Sequence, residues 1–190
     1  MKIRDSGMPE KSYWESLFNI PLIIEHMNIQ KDINKIVEFG CGYGTFTIPI
    51  AKFISGEIIA FEIDDQMIEE ADAEKISNGL NNVTIRKRDF ISEGTGISDN
   101  CVDYVMIFNI LHHDKPLEIL NEAFRILKTG SSVGIIHWNF DPKTPRGPSM
   151  DIRSKPEEIQ RWVLNAGFKL NDYTIIDLPP YHYGLLAYKN

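Results

Sequence analysis

Residues 37–45 read Val-Glu-Phe-Gly-Cys-Gly-Tyr-Gly-Thr. The short run Lys35-Ile36-Val37-Glu38-Phe39 reads as a strand, three alternate glycines follow it, and residues 45–54 read as a helix. A strand that enters a glycine turn and leaves as a helix belongs to an open α/β sheet. There the turn sits at the carboxyl end of the strand, where ligands bind. Glycines at such a turn let the backbone take positive φ and approach a ligand closely.

The rest of the chain repeats that alternation. Strands are expected at 57–62, 83–86, 102–108 and 132–137, and helices at 65–78 and 115–127. Asp64 is placed as the cap of the 65–78 helix and Gly79 as its stop. The Ile/Val-rich runs indicate strands buried on both faces, as in a parallel sheet. Alternating strands and helices of this length predict a doubly wound α/β domain. Ahead of them, residues 9–28 have helical spacing that Pro21 splits in two, with Asn19 as a cap. Behind them, residues 139–155 hold Pro142, Pro145, Gly147 and Pro148 and predict a long loop. Ser154-Lys155-Pro156-Glu157 offers a capping box for a last helix, and 168–177 and 183–189 read as two final strands.

Length and composition narrow the class. A chain of 190 residues fits one domain that needs no disulfide or metal to close its core. With 20 Lys and Arg against 27 Asp and Glu, the net charge of −7 argues against a general nucleic-acid binder. Two cysteines, Cys41 and Cys101, cannot build a disulfide scaffold or a four-cysteine zinc site, which fits a reducing compartment. The stretch 1–10 has no signal-like apolar core, and no apolar run approaches the ~20 residues of a membrane span. These features together predict a soluble cytoplasmic protein.

The glycine spacing bears on the ligand. A dinucleotide fingerprint is G-x-G-x-x-G. Here Gly40, Gly42 and Gly44 form G-x-G-x-G, and Thr45 stands where the third glycine of the dinucleotide pattern would be. Glu38, two residues before Gly40, is costly in a buried strand without a partner, and an ammonium group would supply one. Glu62 ends the second strand 22 positions after Gly40, a distance that suits acceptance from ribose hydroxyls. Asp89 can accept from an adenine amino group, and Phe90 beside it can cover the ring. The three carboxylates therefore match a ligand that joins an ammonium, a ribose and an adenine.

At these residues the chain resembles the class I S-adenosylmethionine (SAM)-dependent methyltransferases, nearest the small-molecule "type 11" group that includes quinone-biosynthesis C-methyltransferases. Residues 37–44 are similar to the family's first motif, Phe61-Glu62-Ile63-Asp64 to its acidic motif and Arg88-Asp89-Phe90 to its adenine-contact motif. Residues 102–113 resemble its fourth strand and following turn, and Leu127-Lys128-Thr129-Gly130 the turn before the fifth strand, where Thr129 and Ser131 depart from Leu-Lys-Pro-Gly-Gly. The resemblance implies a Rossmann-like sheet of seven strands, mostly parallel, with the last antiparallel. It implies SAM as cofactor and S-adenosylhomocysteine (SAH) as product, with backbone around Gly40 and Gly42 holding the methionine part and Glu62 the ribose.

The expected organisation is then a single domain: an N-terminal helical lid over 1–30, a SAM-binding core over 35–138, a substrate loop over 139–155, and a C-terminal helix and strands over 156–190. Candidate cofactor residues are Glu38, Gly40, Cys41, Gly42, Gly44, Glu62, Ile63, Met67, Asp89, Phe90 and Asn109, with Tyr13 from the lid. His137, His112 and His113, at the ligand edge of the sheet, are candidate bases in that order, since neutral His can take a proton near pH 7. Trp14 and Trp138 are candidate acceptor contacts, and Arg146 and Arg153 are candidate clamps for an anionic acceptor, because the 139–155 loop carries a local positive excess. His26 and His182 read as structural, and the three candidate histidines lack metal-ligand spacing. The rival classes are a nicotinamide oxidoreductase, a non-catalytic SAM-binding protein and a nucleic-acid methyltransferase. The turn Asn109-Ile110-Leu111-His112 lacks the Asn/Asp-Pro-Pro-Tyr signature of amino-methylating enzymes of the last kind. The expected partner is a small molecule, with neither nucleic acid nor membrane.

Overall fold

The computed structural model describes residues 8–171 and 175–190. Five strands, β1 (Lys35–Phe39), β2 (Glu57–Glu62), β3 (Val83–Lys87), β4 (Val102–Phe108) and β5 (Leu127–Trp138), run parallel in the order β3-β2-β1-β4-β5. Then β8 (His182–Tyr188) pairs antiparallel with β5. The other edge of β8 carries β6 (Lys169–Leu170) and β7 (Ile176–Leu178), so eight strands fill seven positions. The final strand expected at 168–177 is thus seen in two pieces, and its centre, 172–174, lies outside the described residues. The last crossover places β8 between β5 and the β6–β7 edge. The strand order reverses at β1, which lies between β2 and β4. That reversal opens a crevice at the carboxyl ends of the strands.

The strands read as apolar runs because both faces are covered. Along β1, Ile36 joins one core cluster while Val37 and Phe39 join the other; along β4, Tyr104, Met106 and Phe108 alternate with Val105 and Ile107 in the same way. One face is packed by α6 (Pro116–Ile126) and α7 (Pro156–Asn165), through Ile119, Leu120, Ala123, Ile159 and Val163. The opposite face is packed by α2 (Ile20–His26) and α3 (Thr47–Phe53), through Ile23, Ile50 and Ala51. Between β2 and β3 lies α4 (Asp65–Ser77), capped by the Asp64 side chain, which accepts from Gln66 N and Met67 N. Asn19 caps α2 in the same manner through Leu22 N. Among the described residues no helix is long and apolar enough to cross a membrane.

Two devices in the core are non-local. Tyr104 on β4 lies over Gly134 on β5, where a Cβ would stand 2.0 Å from its hydroxyl oxygen, and that hydroxyl donates to Met27 O at 2.7 Å. The second tie is Lys189, whose ammonium donates to Phe124 O at 2.7 Å, Leu127 O at 2.8 Å and Asn100 Oδ1 at 2.7 Å. A cation on the last carbonyls of α6 satisfies orphan acceptors and complements the helix dipole. Helix α6 therefore runs straight into β5 at Leu127, and the expected turn at Gly130 (φ +84°) lies within the strand. The capping box of α7 is shifted by one residue: Lys155 holds the cap position, its N–H donates to Glu158 Oε2 at 2.8 Å, and Ser154 instead donates its hydroxyl to Leu111 O at 3.2 Å.

Candidate functional site

The crevice at the reversal point holds a cavity of about 320 Å³, within the size range of small-molecule sites. Its floor is the glycine turn. Gly40 N and Cys41 N both donate to Phe61 O, at 2.9 and 3.1 Å, which folds the turn onto the end of β2. Gly42 has φ +52°, and a Cβ there would meet Met8 Cε at 3.3 Å, so both conformation and close approach call for glycine.

Glu62 sits beside this turn, 9% exposed. Its Oε2 accepts from Gly42 N at 2.9 Å, and its Oε1 accepts from Ile63 N at 2.7 Å and Asp64 N at 3.2 Å. A carboxylate has about four acceptor sites, so the three N–H groups orient it and leave capacity on Oε2 for a ligand hydroxyl. Next along the sheet edge, Asp89 caps the short helix α5 (Phe90–Glu93) by accepting from Ser92 N at 3.3 Å. Phe90 stacks on Phe39 with ring centroids 4.3 Å apart. Across the floor, Asn109 has φ +59°, donates its backbone N–H to Ile136 O at 2.7 Å, and is 8% exposed. Neither Oδ1 nor Nδ2 of Asn109 has a hydrogen-bond partner, and the same holds for Thr45 Oγ1 and His112 Nδ1; all three residues line the cavity. Buried polar atoms without partners cost roughly 1–3 kcal/mol each.

The cavity wall therefore unites Gly40, Cys41, Gly42, Glu62, Ile63, Asp89, Phe90 and Asn109, together with Trp14, His112 and His113. Burial, reinforced by the neighbouring His113, holds the His112 imidazole neutral, with a pKa down to about 4. Burial also raises the Cys41 thiol well above its ordinary range, reinforced by the Glu38 and Glu62 charges, so it is a small wall residue rather than a nucleophile. Among the described residues no set of three His, Cys, Asp or Glu is grouped to hold a metal ion.

Other expected residues lie elsewhere. Glu38 is 1% exposed and turned into the protein, where Thr47 donates its hydroxyl to Oε2 and Oε1 is left unpartnered; burial raises its pKa to about 8. Gly44 packs on Ile48 and Ala71 behind the turn, and Met67 is buried with Tyr43 and Trp138. Tyr13 points outward, because the face of α1 (Lys11–Glu15) that meets the protein is the Trp14 face. His137 is fully buried, one layer behind His112 with ring centroids 5.8 Å apart, and desolvation lowers its pKa to about 3. Trp138 lies behind Trp14, packed on His182 at 4.2 Å. Arg153, a candidate anion clamp, is turned into its own loop. It is 7% exposed, and its guanidinium donates to Pro148 O, Asn139 O and Asp141 O at 2.8–3.2 Å and to Thr144 Oγ1, so it organises the 139–155 loop from within. Arg146 is half-buried near Tyr43 and outside the cavity wall.

The cavity also includes residues that carried no signal in the sequence. Met8 reaches it from the N-terminal segment, held by the Tyr43 hydroxyl donating to Pro9 O at 2.7 Å, and Ile152 reaches it from the long loop. From the N-terminal segment Met8 and Trp14 of α1 border the cavity, whereas Ile23 of α2 and Met27 just after it are core, 2% and 0% exposed. Removal of 1–28 would therefore strip core residues.

The profile of a family described as "Methyltransferase domain" matches residues 30–175. A sterol 24-C-methyltransferase of Aspergillus fumigatus is 28% identical over 175 residues, 82% of this chain and 46% of that protein. The chain spans less than half the length of the curated sterol methyltransferases it matches. The crystal structure of a SAM-dependent methyltransferase from Aquifex aeolicus superposes with a TM-score of 0.81 at 22% identity, covering 94% of this chain and 93% of that one. Geranyl diphosphate C-methyltransferase from Streptomyces coelicolor, solved with SAH, superposes with a TM-score of 0.75 at 14% identity, covering 97% of this chain and 85% of that one. The profile match over residues 30–175 shows that the chain belongs to the methyltransferase-domain family.

Proposed function

We propose that this chain binds SAM in the 320 Å³ cavity and transfers its methyl group to a small acceptor. The reading is carried by the Gly40–Cys41–Gly42 turn and Glu62, which are joined by a hydrogen bond and border one cavity with Asp89 and Phe90. SAM supplies an already activated methyl group on a sulfonium. The protein's work is to bind, align and exclude water. The turn Gly40–Cys41–Gly42 presents backbone to the methionine portion, with Thr45 Oγ1 and the Asn109 amide as further partners. Glu62 accepts from the ribose hydroxyls with its remaining lone pair. Asp89 accepts from the adenine amino group while Phe90 lies against the ring. Glu38 acts one step removed, by fixing Thr47 in the first turn of α3.

Met8 and Trp14 close the cavity from above as a small lid. Where the acceptor must lose a proton, His112 and His113 are the bases in reach, and His137 supports His112 from behind. Both cysteines are free, which agrees with a cytoplasmic setting.

Calorimetric titration with SAH and with NADH tests the cofactor. SAH is expected to bind and NADH not to bind; tighter binding of NADH would favour the oxidoreductase reading. Transfer of labelled methyl from SAM to an acceptor separates an enzyme from a non-catalytic SAM-binding protein.

A further inference from the structure

We propose that Ile152 is a specificity-determining residue of the cavity. Its side chain meets the outer part of the acceptor and favours acceptors whose apolar segment is long enough to reach it. The inference rests on the SAM reading above and adds a feature of the acceptor.

The first observation is its place in the fold. The candidate cofactor carboxylates Glu62 and Asp89 lie at the ends of β2 and β3, and β1 separates those strands from β4 and β5. Strand β5 ends at Trp138, where the 139–155 loop begins. The far end of the loop returns to the turn after β4. There Ser154 donates its hydroxyl to Leu111 O at 3.2 Å, and Tyr183 on β8 donates its own to Ser154 O at 3.0 Å. Ile152, two residues before Ser154, therefore stands on the β4–β5 side, away from the carboxylates.

The second observation is what the loop brings to the cavity. Among the described residues, Ile152 is the one member of 139–155 in the wall. The neighbouring Arg153 guanidinium is turned into the loop, onto Asn139 O, Asp141 O and Pro148 O. The loop thus presents a branched alkyl group to the site. Phe108, which ends β4, and Ile110 just after it add apolar wall on the same side, a surface suited to an alkyl or ring segment.

The third observation is that Ile152 is held in place without being claimed by the core. Ile152 N and Arg153 N both donate to Ser149 O, at 3.1 and 2.9 Å. A Cβ on Gly147 would stand 2.7 Å from the Arg153 guanidinium and 3.0 Å from the Trp138 ring, so the loop is seated closely on the end of β5. Ile152 itself remains 38% exposed. An apolar side chain fixed at a cavity wall by its own loop meets a ligand at little ordering cost.

Straight-chain primary alcohols from butanol to octanol, titrated into the SAH-loaded protein by calorimetry, test this. Each methylene buried on the wall is expected to tighten binding by about fourfold. Ile152→Ala is expected to weaken octanol by about tenfold and butanol by less than about twofold, and Ile152→Leu, which keeps the volume, to preserve the wild-type series. A purely structural effect would weaken every alcohol alike. If Ile152→Ala shifts butanol and octanol equally, shifts neither, or shifts SAH Kd as much as octanol, the inference is overturned and the SAM reading stands. The same holds if no alcohol binds up to its solubility limit. If SAH itself does not bind, both fall.

Discussion

The carboxylate of Glu62 accepts a hydrogen bond from the backbone N–H of Gly42 at 2.9 Å, joining the end of β2 to the glycine turn after β1. One side chain thus shapes the floor of the cavity and keeps acceptor capacity for a ligand. Glu62→Gln replaces one acceptor oxygen by a donor that faces N–H groups. Charge-assisted hydrogen bonds of this kind are worth roughly 1.5–3 kcal/mol. The expected outcome is a rise in SAH Kd of about 10- to 100-fold by calorimetry, with the far-UV circular dichroism spectrum unchanged. An unaltered Kd would remove Glu62 from the cofactor site.

Stability should peak near neutral pH, for opposite reasons on the two sides. His112, His137 and His182 are desolvated, with folded pKa values lowered to about 4, 3 and 3. The unfolded chain takes up protons on them below about 6.5 while the folded chain does not, so stability is full above that pH and is lost as pH falls. Glu38 behaves inversely. Its folded pKa is raised to about 8 by burial, against 4.5 for an ordinary carboxyl, so the folded state holds a proton that the unfolded state releases. Its contribution is fully present below the unfolded value and declines as pH rises to about 8, on the order of 1 kcal/mol per pH unit. Urea unfolding across pH 4–9 should therefore show a fall between pH 6.5 and 8 that Glu38→Gln flattens. A fall that persists in the variant would assign it to another group.

What could be read from the sequence was what local chemistry dictates. The bounds of β1, β2 and β4 follow from apolar runs ended by glycine or acidic residues, and Asn19 and Asp64 cap the helices they precede. The glycine turn, Glu62 and Asp89 were expected near one another and do border one cavity, because the order of elements along a parallel sheet fixes which strand ends meet. The β4–β5 side was less legible. His137 and Trp138 close β5 at the ligand edge, but the pairing of β5 with β8 buries both, and that pairing comes from residues some 45 positions away. Arg153 looked like an anion clamp because its charge is visible in a sequence and the backbone carbonyls that consume it are not. The shift of the α7 cap from Ser154 to Lys155 has the same origin, since Ser154 is claimed by Leu111.

Gly134 is required by a neighbouring strand, which gives a sharp stability prediction. A methyl group there would stand 2.0 Å from the Tyr104 hydroxyl oxygen, so Gly134→Ala must displace a ring buried to 1% exposure. Overpacking of this kind costs about 1–3 kcal/mol, and loss of the Tyr104 bond to Met27 O adds to it. The expected reading is an unfolding free energy from urea titration lowered by that amount in Gly134→Ala. Tyr104→Phe should cost less alone, and adding it to Gly134→Ala should cost less than the sum of the two, because the clash and the bond share one hydroxyl. Strict additivity would contradict the packing described here.

Two truncations separate a proposed lid from the core. Removing residues 1–16 takes away Met8, α1 and Trp14, which cover the cavity, and the Pro9 carbonyl that holds the Tyr43 hydroxyl. It spares Phe18, which packs on Phe46 with ring centroids 4.9 Å apart, and all of α2. Removing residues 1–28 also deletes Ile23 and Met27, each worth roughly 1.5–3 kcal/mol of apolar burial, and leaves the Tyr104 hydroxyl without its acceptor. Native stabilities of about 5–15 kcal/mol leave little room for that loss. The shorter truncation is therefore expected to unfold cooperatively in urea while binding SAH about tenfold more weakly, mainly through faster dissociation, since an uncovered ligand leaves more readily. The longer one is expected to lose cooperative unfolding. Unchanged SAH dissociation in the shorter chain would show that Met8 and Trp14 merely border the cavity, and a cooperatively folded longer chain would return α2 to the lid.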